Sequence, residues 1–233
     1  MDFFANRRDN EPDRVLVVGA HPDDELLGPG GALRRHVLAG HEVHALLLCE
    51  NMSLRYASAE DAGFDTADHA REAARILGLK SVEIVGFPDQ RLDARAILDV
   101  ILPIEKKVRE LQPRFVYTHW SGDINRDHKT VHEASLIACR SKAESVDWLI
   151  AYETPSETEY SVPYDFSPNS FVDVGETLPK KLEALACYES ELQDYPGPRS
   201  PKALGERAHY WGQAANMAAA EPFTILRGYW RES

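Results

Sequence analysis

A chain of 233 residues, 43% hydrophobic and 27% charged, carries enough apolar material for a sizeable core, fits one α/β domain and excludes wholesale disorder. Its formal net charge of −12 repels phosphate backbones and anionic lipid surfaces, which argues against nucleic acid as a partner. Cys49, Cys139 and Cys187 are too widely spaced for a disulfide framework or a paired-cysteine metal knuckle, and no apolar run approaches the ~20 residues of a membrane span.

The first residues, MDFFANRRDNEPDR, place charges where a signal peptide needs an apolar stretch, so a soluble, cytoplasmic protein is expected. Residues 1–13 read as an extension of a single domain spanning 1–233. RVLVVGA (14–20) is β-branched and apolar throughout, as a strand buried on both faces is. The segment 28–40 has helical spacing and a glycine stop, and HEVHALLLC (41–49) is a second strand. A helix over 65–78 and a strand over 81–85 follow, then a helix capped by Asp93 that runs towards Leu111 despite Pro103.

RFVYTH (114–119) predicts another strand, followed by a polar loop, a helix from about Asp127, and the strand DWLIAYET (147–154). Beyond a Pro-, Ser- and Tyr-rich stretch to Ser170 come a short strand FVDV, helical segments over 176–192 and 202–220, and a closing strand FTILRGYW. This alternation predicts a Rossmann-like, doubly wound α/β fold, with a mostly parallel sheet and helices on both faces. Ligands bind such sheets beyond the carboxyl ends of the strands.

Two polar clusters follow strands. In His21-Pro22-Asp23-Asp24-Glu25, His21 and Asp24 suit a catalytic zinc, which takes neutral imidazole and carboxylate and keeps a position open for water. Asp23 would then be free to act as general base on water that the metal has acidified. Helix capping could explain one of these aspartates, but not His-Pro with three acids. The second cluster runs from His119 and Trp120 through Asp123, Asn125 and Asp127 to His128 and His132. His128 is the expected third ligand, with Asp127 beside it to orient an imidazole. HKTVH lacks the glutamate of the HExxH protease motif. Gly28-Pro29-Gly30-Gly31 lacks dinucleotide or P-loop spacing and reads as a tight lead into the following helix.

AHPDDE after a buried strand, with a later DINRDH, resembles the de-N-acetylase family that includes N-acetylglucosaminyl-phosphatidylinositol deacetylase and the LmbE-like enzymes of mycothiol and bacillithiol synthesis. The segments YETPS and KKLEAL are also similar to later family segments. The resemblance implies zinc held by His21, Asp24 and His128, with Asp23 as base for hydrolysis of an N-acetyl group on an amino sugar. It departs at Asn125, where many members carry a histidine. An amide can donate to an oxyanion but supplies no proton at neutral pH, so His119, Asp127 or protonated Asp23 would have to serve the leaving amine.

Arg55 after the second strand, His119 and Trp120 are candidate substrate-binding residues, and Tyr160 and Tyr164 could stack on a sugar ring. Alternatives stay open: an esterase or a deacylase of a non-sugar amine, a metal- or sugar-binding protein without turnover, and Fe²⁺, Co²⁺ or Mn²⁺ in place of Zn²⁺. A symmetric homo-oligomer fits an enzyme of this kind.

Overall fold

The computed structural model describes residues 3–4, 11–50, 66–140 and 143–230. Its first half comprises β1 (Arg14–Gly19), α1 (Asp24–Leu27), α2 (Gly30–Leu38), β2 (Glu42–Cys49), α3 (Thr66–Leu77), β3 (Ser81–Phe87) and α4 (Ile97–Leu111). The second comprises β4 (Phe115–His119), α5 (Arg126–Ala138), β5 (Trp148–Tyr152), β6 (Ser170–Asp173), α6 (Leu178–Leu185), α7 (Pro201–Ala215) and β7 (Ala220–Gly228).

The strands form one sheet in the order β3-β2-β1-β4-β5-β7-β6. The first five are parallel, and β7 runs antiparallel to both β5 and β6. This is the expected doubly wound, mostly parallel α/β architecture, with an antiparallel edge added by the C-terminal third. Successive β1 residues face opposite sides, which explains its continuous apolar run. Val15 and Val17 join a core covered by α2, α3, α6 and α7, while Leu16 and Val18 join a second core under α4 and α5.

Strand order reverses between β1 and β4, which pair in the register Val15↔Phe115, Leu16↔Val116 and Val17↔Tyr117. Their carboxyl ends therefore lie side by side, and the loops leaving them diverge to opposite faces. Such a switch point opens a crevice for ligands. Both polar clusters picked out in the sequence sit there.

Several local expectations change. Asp93 does not cap α4: it lies in a 3₁₀ turn (Leu92–Ala94), the N-cap is Ala96, and Asp93 faces Arg126 at 3.7 Å. The C-terminal helices are shorter than their periodicity predicts, ending at Leu185 and Ala215, and β7 begins at Ala220. The glycine-rich turn has a packing reason. A Cβ on Gly28 would meet the Tyr152 ring and the Glu153 carbonyl oxygen (2.9 Å), and one on Gly31 would lie 2.7 Å from Val174 Cγ1. Glu221 of β7 accepts from the backbone N–H groups of Gly31 (2.8 Å) and Ala32 (2.7 Å), placing a carboxylate at the start of α2. Buried Lys181 donates to that carboxylate (2.6 Å) and to the carbonyls of Leu27 (3.1 Å) and Gly28 (2.9 Å). The short helix carrying Asp24 is thus fixed by α6 and by β7, which lies beyond β4 and β5 in the sheet.

Candidate metal centre and active site

At the end of β1 the chain turns sharply, with Asp23 at φ 117°, a conformation non-glycine residues rarely adopt. That turn points His21 and Asp24 at the loop leaving β4. His21 Nδ1 lies 3.3 Å from His128 Nε2 and 3.6 Å from Asp24 Oδ2, while Asp24 Oδ1 lies 3.4 Å from His128 Nε2. Two imidazole nitrogens and one carboxylate oxygen thus converge within 4.8 Å of one another. Asp24 Oδ1 is buried and has no hydrogen-bond donor among the described residues, a costly state for a carboxylate oxygen unless a cation faces it.

The outer ring nitrogens are held in place. His128 Nδ1 lies 3.0 Å from Asp123 Oδ2, and His21 Nε2 lies 3.2 Å from Asp127 Oδ2 and 3.0 Å from Asp89 Oδ1. Carboxylates on these nitrogens leave the facing nitrogens as lone-pair donors, the tautomer a metal needs. Burial alone would depress the His21 imidazolium, yet in the metal-free protein its bonds to Asp127, Asp89 and Cys49 and the charge of Asp24 hold its pKa well above the usual histidine value, so a bound metal takes the place of the proton on the facing nitrogen. Burial would raise the Asp24 carboxyl, but the fields of His128, His119 and His21 outweigh it and hold Asp24 well below the carboxylate range. The donor set His21, Asp24 and His128 therefore fits a divalent transition metal with an open coordination position.

Beside these groups is a cleft of about 700 Å³. His21, Asp23, Asp89, Asn125, Ser156, Glu157, Glu191 and Arg199 line it, together with Asp93, Arg126 and Gln193. Burial raises the Asp23 carboxyl well above its ordinary value, Arg199 opposes that shift, and the neighbouring carboxylates of Asp24, Glu191 and Glu25 add to it. Burial likewise pushes Glu25 up to about 7, although Tyr188 Oη donates to its carboxylate at 2.7 Å.

Other expected site residues lie elsewhere. His119 is fully buried, its ring stacked 3.9 Å from that of His128 and its Nε2 3.2 Å from Asp24 Oδ2. It lies beneath the ligands rather than on the cleft wall, so it is not placed to touch substrate. Asp127, also fully buried, divides its carboxylate among His21, the Leu92 N–H (2.9 Å) and the Cys49 thiol (3.5 Å), which suits orientation and not proton delivery to a substrate. Asn125 caps α5, its Oδ1 accepting from the Asp127 N–H at 2.9 Å, and it lines the cleft; this bond does not consume its amide NH₂. Trp120 packs edge-to-face on Phe166 (5.6 Å), and Tyr160 and Tyr164 lie on the exterior, so the described cleft lining contains no Trp, Tyr or Phe. Arg55 lies outside the described residues.

Asp89, Asp123 and Arg199 join the site without a motif of their own in the sequence. Asp123 has a local signal, since it stands five residues before His128 in the same polar cluster. Asp89 and Arg199 reach the site only through the fold.

The family described as PIG-L, GlcNAc-PI de-N-acetylase, matches residues 16–139, a span that contains the whole candidate ligand set. Among relatives, an uncharacterised deacetylase of Escherichia coli is 31% identical over 80% of this chain and 94% of its own length. A diacetylchitobiose deacetylase of Thermococcus kodakarensis is 26% identical over 98% of this chain and 88% of its own. A 4-oxalmesaconate hydratase of Pseudomonas putida is 26% identical over 80% and 78%. The crystal structure of a conserved protein of Thermus thermophilus superposes with a TM-score of 0.76 at 27% identity, covering 94% of this chain and 96% of that one. Motif, fold and relatives agree: the chain belongs to the PIG-L de-N-acetylase family, whose relatives include deacetylases of N-acetylated sugars.

Proposed function

We propose that the protein is a zinc-dependent hydrolase that removes an N-acetyl group from an amino-sugar-containing small molecule. The observation that carries this reading is the convergence of His21 Nδ1, His128 Nε2 and the unpartnered Asp24 Oδ1 beside a cleft lined by Asp23. Bound there, zinc supplies Lewis acidity towards the amide oxygen and the attacking water. Asp23 takes the proton of that water as its oxygen bonds to the carbonyl carbon, then delivers it to the nitrogen as the C–N bond breaks. Acetate and a free amine leave. The Asn125 amide donates to the oxygen on which charge develops. Of the three candidates for protonating the amine, His119 and Asp127 are fully buried and Asp23 alone lines the cleft.

Similarity to a hydratase raises a second reading, in which the same groups add water to an unsaturated polycarboxylate. Charge favours the sugar. In the described lining the acidic side chains Asp23, Asp89, Asp93, Glu157 and Glu191 outnumber the basic Arg126 and Arg199, which suits a neutral sugar better than a polyanion. The test offers the metal-loaded protein N-acetylated amino sugars, matched O-acetyl esters and unsaturated dicarboxylic acids. Acetate release from the amides supports the proposal. Turnover of the esters alone or of the unsaturated acids alone contradicts it.

A further inference from the structure

Arg199, in the segment between α6 and α7, reaches Asp23 from 176 residues away in sequence. Its Nη1 donates to Asp23 Oδ2 at 2.8 Å and lies 3.3 Å from Glu191 Oε2, its Nε donates to Ser156 Oγ at 2.7 Å, and its Nη2 lies 3.8 Å from Glu157 Oε1. One guanidinium thus joins the loop after β1, the loop after β5 and the segment after α6. Among the described residues no other group donates to the Asp23 carboxylate. Asp23 needs that support: it sits at φ 117°, ψ −26°, and the repelling carboxylates of Glu25, Glu191 and Asp24 surround it.

We propose that Arg199 is a positioning residue for Asp23, and that it fixes the carboxylate plane so that Oδ2 is held and Oδ1 is presented to the water and the amine. The proposal rests on the reading of Asp23 as the base. The guanidinium is itself anchored by Nε on Ser156 and by Nη1 on Glu191, so its single Nη1 bond to Oδ2 restrains rotation about the Asp23 side chain, which a flexible ammonium does less well. A base must sit within hydrogen-bond reach of the proton it takes, and small misplacements are costly.

The test uses the metal-loaded full chain with Arg199→Gln, Arg199→Lys and Arg199→Ala. For each, kcat and KM are measured on the N-acetylated amino sugar that the wild type hydrolyses fastest, with metal stoichiometry and thermal midpoint, and Arg199→Gln is crystallised. Arg199→Gln is expected to lose kcat on the order of 100-fold with KM within about threefold, metal content at the wild-type level, and the Asp23 carboxylate rotated in the crystal. Arg199→Lys should recover about tenfold of that loss, since it keeps the charge but not the fork. Added guanidinium ion should restore part of the kcat of Arg199→Ala. An unchanged kcat, a loss confined to KM, or a loss that tracks metal content or unfolding without guanidinium rescue would overturn the proposal. Should the wild type hydrolyse no amide, the proposed function fails, and Arg199 is judged by the crystal structure alone: a rotated Asp23 carboxylate supports its positioning role, and an unmoved one refutes it.

Discussion

Asp123 never faces the cleft, yet its carboxylate lies 3.0 Å from His128 Nδ1 and also accepts from the Asn125 N–H (2.9 Å) and the Thr158 hydroxyl (3.1 Å). Those bonds fix the carboxylate before it fixes the imidazole. Replacing Asp123 by Ala should therefore leave the ligands present but poorly aimed, lowering metal affinity about 10–100-fold in a chelator competition. Unaltered affinity would mean that packing alone orients His128. At this scale the sequence was informative where chemistry is local. His21, Asp23 and Asp24 are neighbours, and His128 follows β4 within one loop and the first turn of α5. Asp89 and Arg199 carry no such signature, because a lone Asp or Arg in a loop reads as a solvated charge until the fold brings it to the site. The same limit misplaced His119 and Trp120: their spacing puts them next to the cluster, but side-chain direction at a strand end buries one beneath the ligands and packs the other against Phe166.

The α1–α2 turn is set by a buried ion pair. The side chains of Lys181 and Glu221 are 6% and 5% exposed, and between them they bind two carbonyls and two N–H groups of the turn. Lys181→Met leaves the buried Glu221 charge without its cationic partner, which should lower unfolding free energy by about 3–5 kcal/mol in a denaturant titration. A change below about 1 kcal/mol would show that water reaches the pair. Gly31→Ala should also destabilise, because its new Cβ would lie 2.9 Å from both Glu221 Oε1 and Val174 Cβ. The KKLEAL segment and the GPGG turn were legible as a helix and as a tight lead into one. Their union was not, since only the antiparallel return of β7 brings residue 221 across the sheet to residue 31. The helix ends beyond Leu185 and Ala215 were overread for a related reason. Apolar residues there serve loops and β7, which periodicity alone assigns to a continuing helix.

Across the molecule, the two-faced sheet buries histidines as well as hydrocarbons. His36 lies fully buried, its Nδ1 2.8 Å from His41 Nδ1 and its Nε2 2.9 Å from Tyr117 Oη. Burial, with His41, Arg114 and Arg35 adding to it, depresses its pKa well below the ordinary value. The unfolded chain therefore takes this proton first as pH falls. The neutral imidazole's contribution is complete above about pH 6.5 and declines below it, at up to about 1.4 kcal/mol per pH unit, until the folded-state value is reached. In metal-free protein, unfolding free energy should fall more steeply from pH 6.5 to 5.5 in the wild type than in His36→Gln, a comparison in which titrating groups remote from the His36–His41 pair cancel. Equal slopes would contradict the assignment. The parallel sheet itself was legible from β1 to β5, because continuous apolar runs alternating with amphipathic helices have few alternatives. The antiparallel edge was not, since neither the four-residue β6 nor the nine-residue β7 carries a directional signal in its sequence.

A catalytic metal held by His21, Asp24 and His128 beside Asp23 separates binding from turnover, which metal stoichiometry and acetate release measured together in zinc-loaded wild type, Asp24→Ala and Asp23→Ala would reveal. Near one zinc per wild-type chain is expected, with loss of both metal and turnover in Asp24→Ala and retained metal without turnover in Asp23→Ala. No bound metal in the zinc-loaded wild type, or full turnover in Asp23→Ala, would contradict it.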